Sequence, residues 1–229
     1  MKVEIWSDIA CPFCYIGKRK FENALKDFSD KDNVEVTWKS YQLDPSTQHV
    51  PGMSIHDYLA ERKGFSVEQA KEMNDYVSGM AAEVELPYDL NNAVVANTFN
   101  AHRLIHLADK YGKQDLAEEL LFSAYFTKGK NIQDLDTLVE LGVEIGLDAQ
   151  EVRTVLEGSD FSNEVRKDFA DALKVGVRGV PFFLFNNKYA VSGAQPSDVF
   201  RDVLEKVRQE EVPNEEPPGT FCTTDGNCS

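Results

Sequence analysis

Residues 2–14 read KVEIWSDIACPFC, and this stretch decides the fold. Its first residues alternate between polar and apolar, which predicts a short strand. Pro12 then suits the first turn of a helix, because proline fixes its own φ and has no backbone N–H. The stretch therefore predicts a strand that leads into a helix, with Cys11 as the N-cap and Cys14 as the third helical residue.

The pattern continues outward from this stretch as a β-α-β unit. Apolar residues recur at helical spacing after Cys14, which predicts a helix as far as about Asp30. Residues 34–41 alternate again and predict a second strand. Two strands joined by a helix favour a parallel pair with a right-handed crossover.

Helical periodicity dominates the middle of the chain, from Ser54 to about Lys174, and no strand pattern interrupts it. Ser66 begins a capping box. Further helices are predicted from Asn91, from Asp134 and from Asp148, which is a helix cap.

Strand patterns return at residues 181–185. Asn186-Asn187 is a turn signal, and residues 188–191 form the returning strand of a predicted hairpin. Pro196 starts a last helix, and a Pro- and Glu-rich linker begins at Val212.

The whole order resembles the thioredoxin fold, an α/β class, with a helical domain inserted between its second and third strands. We expect residues 1–48 and 160–211 to form the thioredoxin-like domain. Residues 49–159 would form the inserted helical domain. Residues 212–229 would be a C-terminal extension that carries a second cysteine pair.

The placement of the first cysteine pair predicts its chemistry. Side chains at the N-cap and the third helical residue meet in ordinary capping geometry, so Cys11 and Cys14 can close or open a disulfide without moving the helix. The unpaired N–H groups of the first turn and the helix dipole favour a thiolate at Cys11. We therefore predict Cys11 as the nucleophile and Cys14 as the resolving cysteine. Pro12-Phe13 offers the thiolate no side-chain donor, which predicts a less oxidising couple than a histidine would give.

A zinc site made by Cys11, Cys14, Cys222 and Cys228 is the alternative. Structural zinc pairs usually lie in tight knuckles with about two to four residues between ligands, and not at the start of a long amphipathic helix. A Cys-X-X-Cys motif near a β-α-β pattern favours redox chemistry instead. We expect no metal.

Several motifs together resemble one family. They lie at residues 8–14, 38–45, 97–103, 179–183 and 191–196. On these motifs the sequence resembles the DsbA family of thioredoxin-fold proteins over about residues 1–210, and it is most similar to the cytoplasmic FrnE-like branch.

The resemblance implies that the Val180–Pro181 peptide bond is cis and faces the cysteine pair. There its backbone would pair with an extended substrate chain, and the proline would keep metal ions off the thiols. We place Phe13 on the same substrate-binding surface. The implied activity is disulfide reduction, isomerisation or oxidation on protein or small-molecule disulfides, with no cofactor required.

The same superfamily includes kappa-class glutathione transferases and 2-hydroxychromene-2-carboxylate isomerases. Those enzymes have a serine where this chain has Cys11, and they lack the second cysteine. The cysteine pair favours disulfide exchange, and glutathione remains a candidate co-substrate. A glutathione-dependent transferase or isomerase is the second candidate function. A metal-binding or thiol-scavenging protein is the third.

The tail offers a second redox pair, Cys222 and Cys228, across a turn at Asp225-Gly226. The linker from Val212 to Cys222 spans at most about 33–36 Å, which is enough to reach a site on the same domain. The pair either exchanges electrons with the first pair or has no redox role, and the sequence leaves both open.

Two other positions carry titratable groups near the motifs. Asp8 is either an acid near the thiols or a loop cap. His102 and His106 have the spacing of two ligands on one helix face, but no glutamate lies between them, so core packing or a surface pair is favoured.

Composition excludes several classes of function. A net charge of −15 over 229 residues argues against nucleic acid and anionic membranes as partners. No apolar run approaches the roughly 18 residues of a membrane span, and the N-terminus lacks the pattern of a signal peptide. We expect a cytoplasmic protein whose four cysteines are reactive and not a disulfide scaffold.

Overall fold

The computed structural model describes residues 1–211. Its strands and α-helices are, in chain order, β1 (Lys2–Ser7), α1 (Pro12–Lys26), β2 (Glu35–Ser40), α2 (Ile55–Lys63), α3 (Val67–Ala82), α4 (Phe99–Asp109), α5 (Gln114–Phe126), α6 (Leu135–Glu144), α7 (Ala149–Glu157), α8 (Ser162–Val175), β3 (Phe182–Phe185), β4 (Tyr189–Ser192) and α9 (Ser197–Glu211). The predicted α/β fold, with helices between the second and third strands, is confirmed.

The strands form one sheet in the order β2-β1-β3-β4. β1 pairs with β2 in parallel, as the β-α-β pattern predicted, and with β3 in antiparallel. β3 and β4 form the predicted hairpin. Its turn uses Asn186 and Asn187, both with positive φ, a conformation that asparagine tolerates better than most residues.

One face of the sheet packs against α1 and α9 through a cluster rich in phenylalanine. The rings of Phe21, Phe183 and Phe200 contact one another, and the Phe183 centroid lies 5.5 Å from that of Phe21 and 4.7 Å from that of Phe200. Such tilted and edge-to-face pairs add to the stability gained from burying the rings. On the other face the Trp6 indole N–H donates to the Asp168 carbonyl of α8 at 3.0 Å.

The first turn of α1 belongs to a different cluster. Cys11, Cys14 and Tyr15 pack with the buried residues of the helices that lie between β2 and β3, and not with the phenylalanine cluster. The sheet therefore positions the cysteine segment, and the inserted helices supply much of its surroundings.

Capping residues in the sequence correctly predicted where several helices begin. Ser66 makes the predicted capping box with Gln69, and Asp134 and Asp148 cap α6 and α7. α1 ends at Lys26, earlier than expected, and a short 3-10 turn at Lys31–Asn33 leads into β2.

The helix predicted from Asn91 is wrong at its start, because α4 begins only at Phe99. Val94 pairs with Ser54 in an isolated bridge. The Asn97 amide donates to the carbonyls of Pro45 and Thr47 at 3.1 and 3.0 Å, while its oxygen accepts from the Phe99 N–H. These contacts hold the segment in an extended path that its apolar spacing did not indicate.

Within the described residues, none of the helices has the length and apolar character that crossing a membrane requires.

Candidate active site

The two cysteines lie where the sequence predicted them. Cys11 is the N-cap of α1 with extended backbone angles, Pro12 is the first helical residue, and Cys14 is the third. The Cys11 N–H donates to the Asp8 carbonyl at 2.9 Å, and the Cys14 N–H donates to the Cys11 carbonyl at 3.0 Å. Both cysteines carry free thiols. The turn that joins β1 to α1 thus fixes both sulfurs at the start of one helix.

Val180 and Pro181 face this pair from the loop before β3. Cys11 Sγ lies 3.5 Å from the Val180 carbonyl oxygen and donates to it as a thiol. The Val180–Pro181 peptide bond is cis. The Pro181 carbonyl accepts the Gly193 N–H at 2.8 Å, which ties the loop to the end of β4. The structure therefore brings Cys11, Cys14, Val180 and Pro181 together.

Gly17 makes this approach sterically feasible. A Cβ atom on Gly17 would lie 2.8 Å from Pro181 Cγ and 3.5 Å from the Phe183 ring. Only a residue without a side chain allows α1 to approach the loop so closely.

We expect Gly17→Ala to lower the free energy of unfolding by about 1–2 kcal/mol, since overpacking costs more than the helix propensity of alanine returns. Gly79→Ala is the matched control, because Gly79 lies within α3 with no neighbouring atom within 4 Å of its Cβ position. In that variant the free energy of unfolding should rise by about 0.5–1 kcal/mol. Urea unfolding measures both, and a gain in Gly17→Ala would contradict the steric argument.

The two thiols differ in their surroundings. Cys14 is fully buried, Cys11 is 3% exposed, and Phe13 between them is 38% exposed. Burial raises the pKa of the Cys14 thiol, and hydrogen bonding to Cys11 together with a charge there raises it further. Cys14 accordingly keeps its proton when Cys11 is charged, which fits unequal roles for the two sulfurs.

Asp8 makes the contacts of a loop cap. Its buried carboxylate accepts the Leu43 N–H at 2.7 Å and the Ala10 N–H at 3.3 Å. It also lies 3.6 Å from His102 Nε2. Burial acts to lower the pKa of His102, but hydrogen bonding to Asp8 and its charge outweigh burial and raise it. The carboxylate thus fixes the loop that leads to the cysteines and pairs with a buried imidazole.

The two histidines of α4 contact different groups. His102 Nε2 contacts the Tyr41 carbonyl at 3.1 Å, whereas His106 Nε2 contacts the Asp168 carboxylate at 3.0 Å. Among residues 1–211, no three His, Cys, Asp or Glu side chains are grouped so that they could hold a metal ion. Cys222 and Cys228, the predicted second pair, lie outside the described residues.

No sequence pattern indicated Tyr88, which lies in the loop between α3 and α4 and contacts the first turn of α1. The Tyr88 hydroxyl donates to the Pro12 carbonyl at 2.7 Å, and burial, together with charges on Cys11 and Cys14, raises the pKa of Tyr88. Ser7 and Glu118 are also buried, and the Ser7 hydroxyl acts to lower the pKa of Cys14. No local pattern marks these residues, because more than seventy positions separate Tyr88 and Glu118 from the motif that they approach.

A cleft of about 340 Å³ opens beside the cysteine segment. Ala10 and Asp8 line one side, next to Cys11 in the chain. The other walls mix polar and apolar side chains from the loop after β2, from α2, from the loop before α4 and from Tyr125 of α5. Arg62 and Lys63 lie at the end of α2. The cleft is large enough to take part of a substrate close to Cys11.

The sheet order, the cysteine pair at a helix start and the proline loop opposite define a thioredoxin-fold protein with a two-cysteine site. A family model described as a DSBA-like thioredoxin domain matches residues 2–205. The chain belongs to this family, which comprises thioredoxin-fold oxidoreductases.

The chain is similar to several known proteins. A probable DsbA oxidoreductase from Streptomyces coelicolor is 39% identical, with a TM-score of 0.88 over 100% of this chain and 98% of that one. YwbO, an uncharacterized protein of Bacillus subtilis, is 28% identical over 88% of this chain and 94% of its own length. The cytosolic disulfide reductase DsbM from Pseudomonas aeruginosa shares the fold at 18% identity, with a TM-score of 0.64 over 92% of this chain and 100% of DsbM.

Proposed function

We propose that this protein is a thiol–disulfide oxidoreductase that acts on protein or small-molecule disulfides through Cys11 and Cys14. One observation carries the proposal: two free thiols lie at the N-cap and third residue of one helix, with a backbone carbonyl facing the first sulfur. An enzyme that uses a single nucleophile would not need a second thiol beside it. A glutathione-dependent transferase is therefore less well supported.

The proposed reaction has two exchanges. The Cys11 thiolate attacks a substrate disulfide, so the substrate S–S bond breaks, a Cys11–substrate disulfide forms and one substrate thiolate leaves and takes a proton. Cys14 then attacks Cys11 Sγ and releases the second substrate thiol as the Cys11–Cys14 disulfide forms. Two electrons pass to the substrate in this direction, and the reverse sequence oxidises a dithiol.

The Val180–Pro181 loop would hold the substrate backbone. The Val180 carbonyl accepts from the Cys11 thiol, and it loses that donor when Cys11 ionises. It can then accept an N–H from an extended substrate chain, as strand-addition binding does. The exposed Phe13 ring would supply an apolar contact beside it.

Several further properties belong to the same proposal. The chemistry needs no bound cofactor, because both electrons come from the thiols, and glutathione is a candidate co-substrate that would return the pair to the dithiol. We propose a cytoplasmic location, where the acidic chain would meet disulfides in a reducing environment.

Insulin reduction in the presence of a dithiol reductant tests the function. We expect the wild-type protein to accelerate precipitation of the insulin B chain and Cys11→Ser to give the rate of the reductant alone. Conjugation of glutathione to an aromatic electrophile, measured beside it, should stay at background. Robust conjugation that survives in Cys14→Ser, without insulin reduction in the wild type, would replace this proposal by the transferase function.

A further inference from the structure

One peptide group in the first turn of α1 receives a hydrogen bond from outside the helix. The Tyr88 hydroxyl donates to the Pro12 carbonyl at 2.7 Å, a normal length for an O–H···O bond. A carbonyl oxygen has two lone pairs, and the helical ladder uses one of them for the N–H four residues further on. Tyr88 therefore adds a second donor to a carbonyl that helix formation already satisfies, so pairing of a stranded group does not explain the bond.

The Tyr88 side chain is held in place from both sides. Its ring stacks on Phe126 of α5 at a centroid distance of 4.7 Å and on Tyr15 of α1 at 6.0 Å. The next residue, Asp89, donates its N–H to the Phe126 carbonyl at 2.7 Å. Burial raises the pKa of Tyr88, and a negative charge on the cysteines raises it further, so the hydroxyl keeps its proton when the site ionises. Tyr88 is thus a fixed donor in every charge state of the thiols.

The other end of the same peptide group carries an N–H that faces Cys11. The Pro12 carbonyl and the Phe13 N–H belong to one planar amide. The side chain of an N-cap residue faces the N–H groups of the second and third helical residues, which here are Phe13 and Cys14. The Cys14 N–H already donates to the Cys11 carbonyl at 3.0 Å, and proline has no N–H. The Phe13 N–H is therefore the donor of the first turn that is available to the Cys11 sulfur.

The Cys11 sulfur changes from donor to acceptor when it ionises. As a thiol it donates to the Val180 carbonyl at 3.5 Å, and within the described residues it accepts no capping hydrogen bond. As a thiolate it has no proton to donate, and it becomes an acceptor for the Phe13 N–H. Hydrogen bonds in series polarise one another, so donation to the Pro12 oxygen makes the Phe13 N–H a stronger donor. The bond from Tyr88 therefore favours the charged state of Cys11 over the neutral one.

We propose that Tyr88 is a positioning residue that stabilises the Cys11 thiolate through the Pro12–Phe13 peptide group. The inference rests on the proposed function, since it concerns the nucleophile of that reaction and the balance between dithiol and disulfide. A more stable thiolate is a better leaving group from a disulfide, so Tyr88 shifts the pair towards the dithiol and makes it more oxidising.

The other titratable groups at the site keep their surroundings when the Tyr88 hydroxyl is removed. Cys14 faces Cys11 from the same helix and keeps its proton, because burial and a charge on Cys11 raise its pKa. Asp8, in the loop before α1, lies 3.6 Å from His102 of α4. The loop before β3 presents a backbone carbonyl to the sulfur. A change in the thiolate population after loss of this hydroxyl can therefore be assigned to its bond.

The equilibrium with glutathione measures the first consequence. In this exchange the protein disulfide takes two electrons from two glutathione thiols, which yields the dithiol and one glutathione disulfide. The full chain is used with Cys222→Ser and Cys228→Ser, so that only the first pair reacts. We expect Tyr88→Phe to lower the equilibrium constant for reduction about threefold at pH 7. That change is a shift of about 14 mV towards more negative potentials.

The ultraviolet absorbance of the thiolate measures the second consequence. The comparison is made at the pH at which Cys11 of the unsubstituted protein is half ionised. There we expect the ionised fraction to fall to about one quarter in Tyr88→Phe, because the same threefold change acts on the thiolate. At a pH well above that point the two proteins should be equally ionised.

Tyr15→Phe is the matched control. It removes a hydroxyl from the same aromatic stack, but this hydroxyl bonds to Glu119 and Arg19, at 2.5 and 3.3 Å, and not to the first turn. Both the equilibrium constant and the ionised fraction should stay at the values of the unsubstituted protein. Tyr88→Leu removes the ring together with the bond, and it should give a shift no larger than that of Tyr88→Phe.

Circular dichroism checks that each variant is folded. Unchanged values in folded Tyr88→Phe, equal shifts in both tyrosine-to-phenylalanine variants, or a shift that needs loss of the Tyr88 ring would each show that the bond does not tune Cys11. In those cases the two-cysteine function stands. A Cys11–Cys14 pair of the unsubstituted protein that does not exchange with glutathione or with insulin would instead overturn the proposed function itself.

Discussion

Replacing Cys14 by serine is expected to turn the protein into a trap that keeps its first substrate. Cys11 would still attack a disulfide, because its N-cap position is unchanged. The resulting mixed disulfide would persist, since the fully buried thiol that displaces the substrate is gone. Insulin reduction should fall to the background of the reductant, and the intact protein should gain the mass of one substrate thiol.

Mass spectrometry of the unreduced protein measures the adduct, and peptide mapping should place it on Cys11. The variant is made together with Cys222→Ser and Cys228→Ser, so that no other thiol of this chain can release the substrate. A second variant keeps Cys14 and carries Cys11→Ser with Cys222→Ser and Cys228→Ser, and it should form no adduct. An adduct on Cys14 in that variant would reverse the two roles.

Restoring the tail cysteines in the Cys14→Ser background tests the second pair. If Cys222 and Cys228 exchange with the first pair, they should shorten the lifetime of the adduct and leave a disulfide to Cys11. An unchanged lifetime would assign the tail pair no part in this reaction.

The largest loss of stability is expected from Arg103→Met. Arg103 is 3% exposed and lies in α4, from which its guanidinium reaches the end of α7. It donates to the carbonyls of Val155, Leu156, Gly158 and Asp160, with the last three at 3.1, 3.0 and 2.8 Å. Val155 and Leu156 lie in the last turn of α7, where a helix end leaves carbonyls without partners, and Gly158 and Asp160 lie in the segment that follows it. One side chain thus provides the C-terminal cap of α7.

Methionine fills a similar volume but leaves several buried carbonyls unpaired, so we expect a loss of about 3–5 kcal/mol in the free energy of unfolding. Urea unfolding at pH 7 measures it. Arg153→Met is the control, because Arg153 lies on α7 itself and makes surface ion pairs with Asp136 and Glu157. That change should cost less than about 1 kcal/mol. Similar losses in both variants would disprove the capping role.

The sequence predicted those parts of the fold that depend on neighbours along the chain. Pro12 and the two cysteines identified the helix start, and alternation identified β1 and β2. The motif at residues 179–183 indicated the loop opposite Cys11 only through its family resemblance. Local periodicity failed at Asn97, because the side chain that stops the helix bonds to a loop some fifty residues away.

The tertiary surroundings of the cysteine pair could not be predicted in the same way. Glu118 looks like any acid on an amphipathic helix until α5 packs against α1. Arg103 likewise carries no mark of its capping role, which depends on the place where α7 ends. Burial and partnership decide what these side chains do, and both arise only from tertiary packing.

Because the first turn of α1 packs with the inserted helices, the cysteine motif and part of its surroundings come from separate segments of the chain and can change independently. The cysteine motif is encoded in one short segment, whereas Tyr88 and several walls of the adjacent cleft are encoded within the insertion. Substitutions in the insertion can therefore retune the thiols, or admit a new substrate, while the motif stays unaltered. Descendants with an identical CPFC would then differ in redox behaviour, and grafting insertions between relatives should transfer that difference.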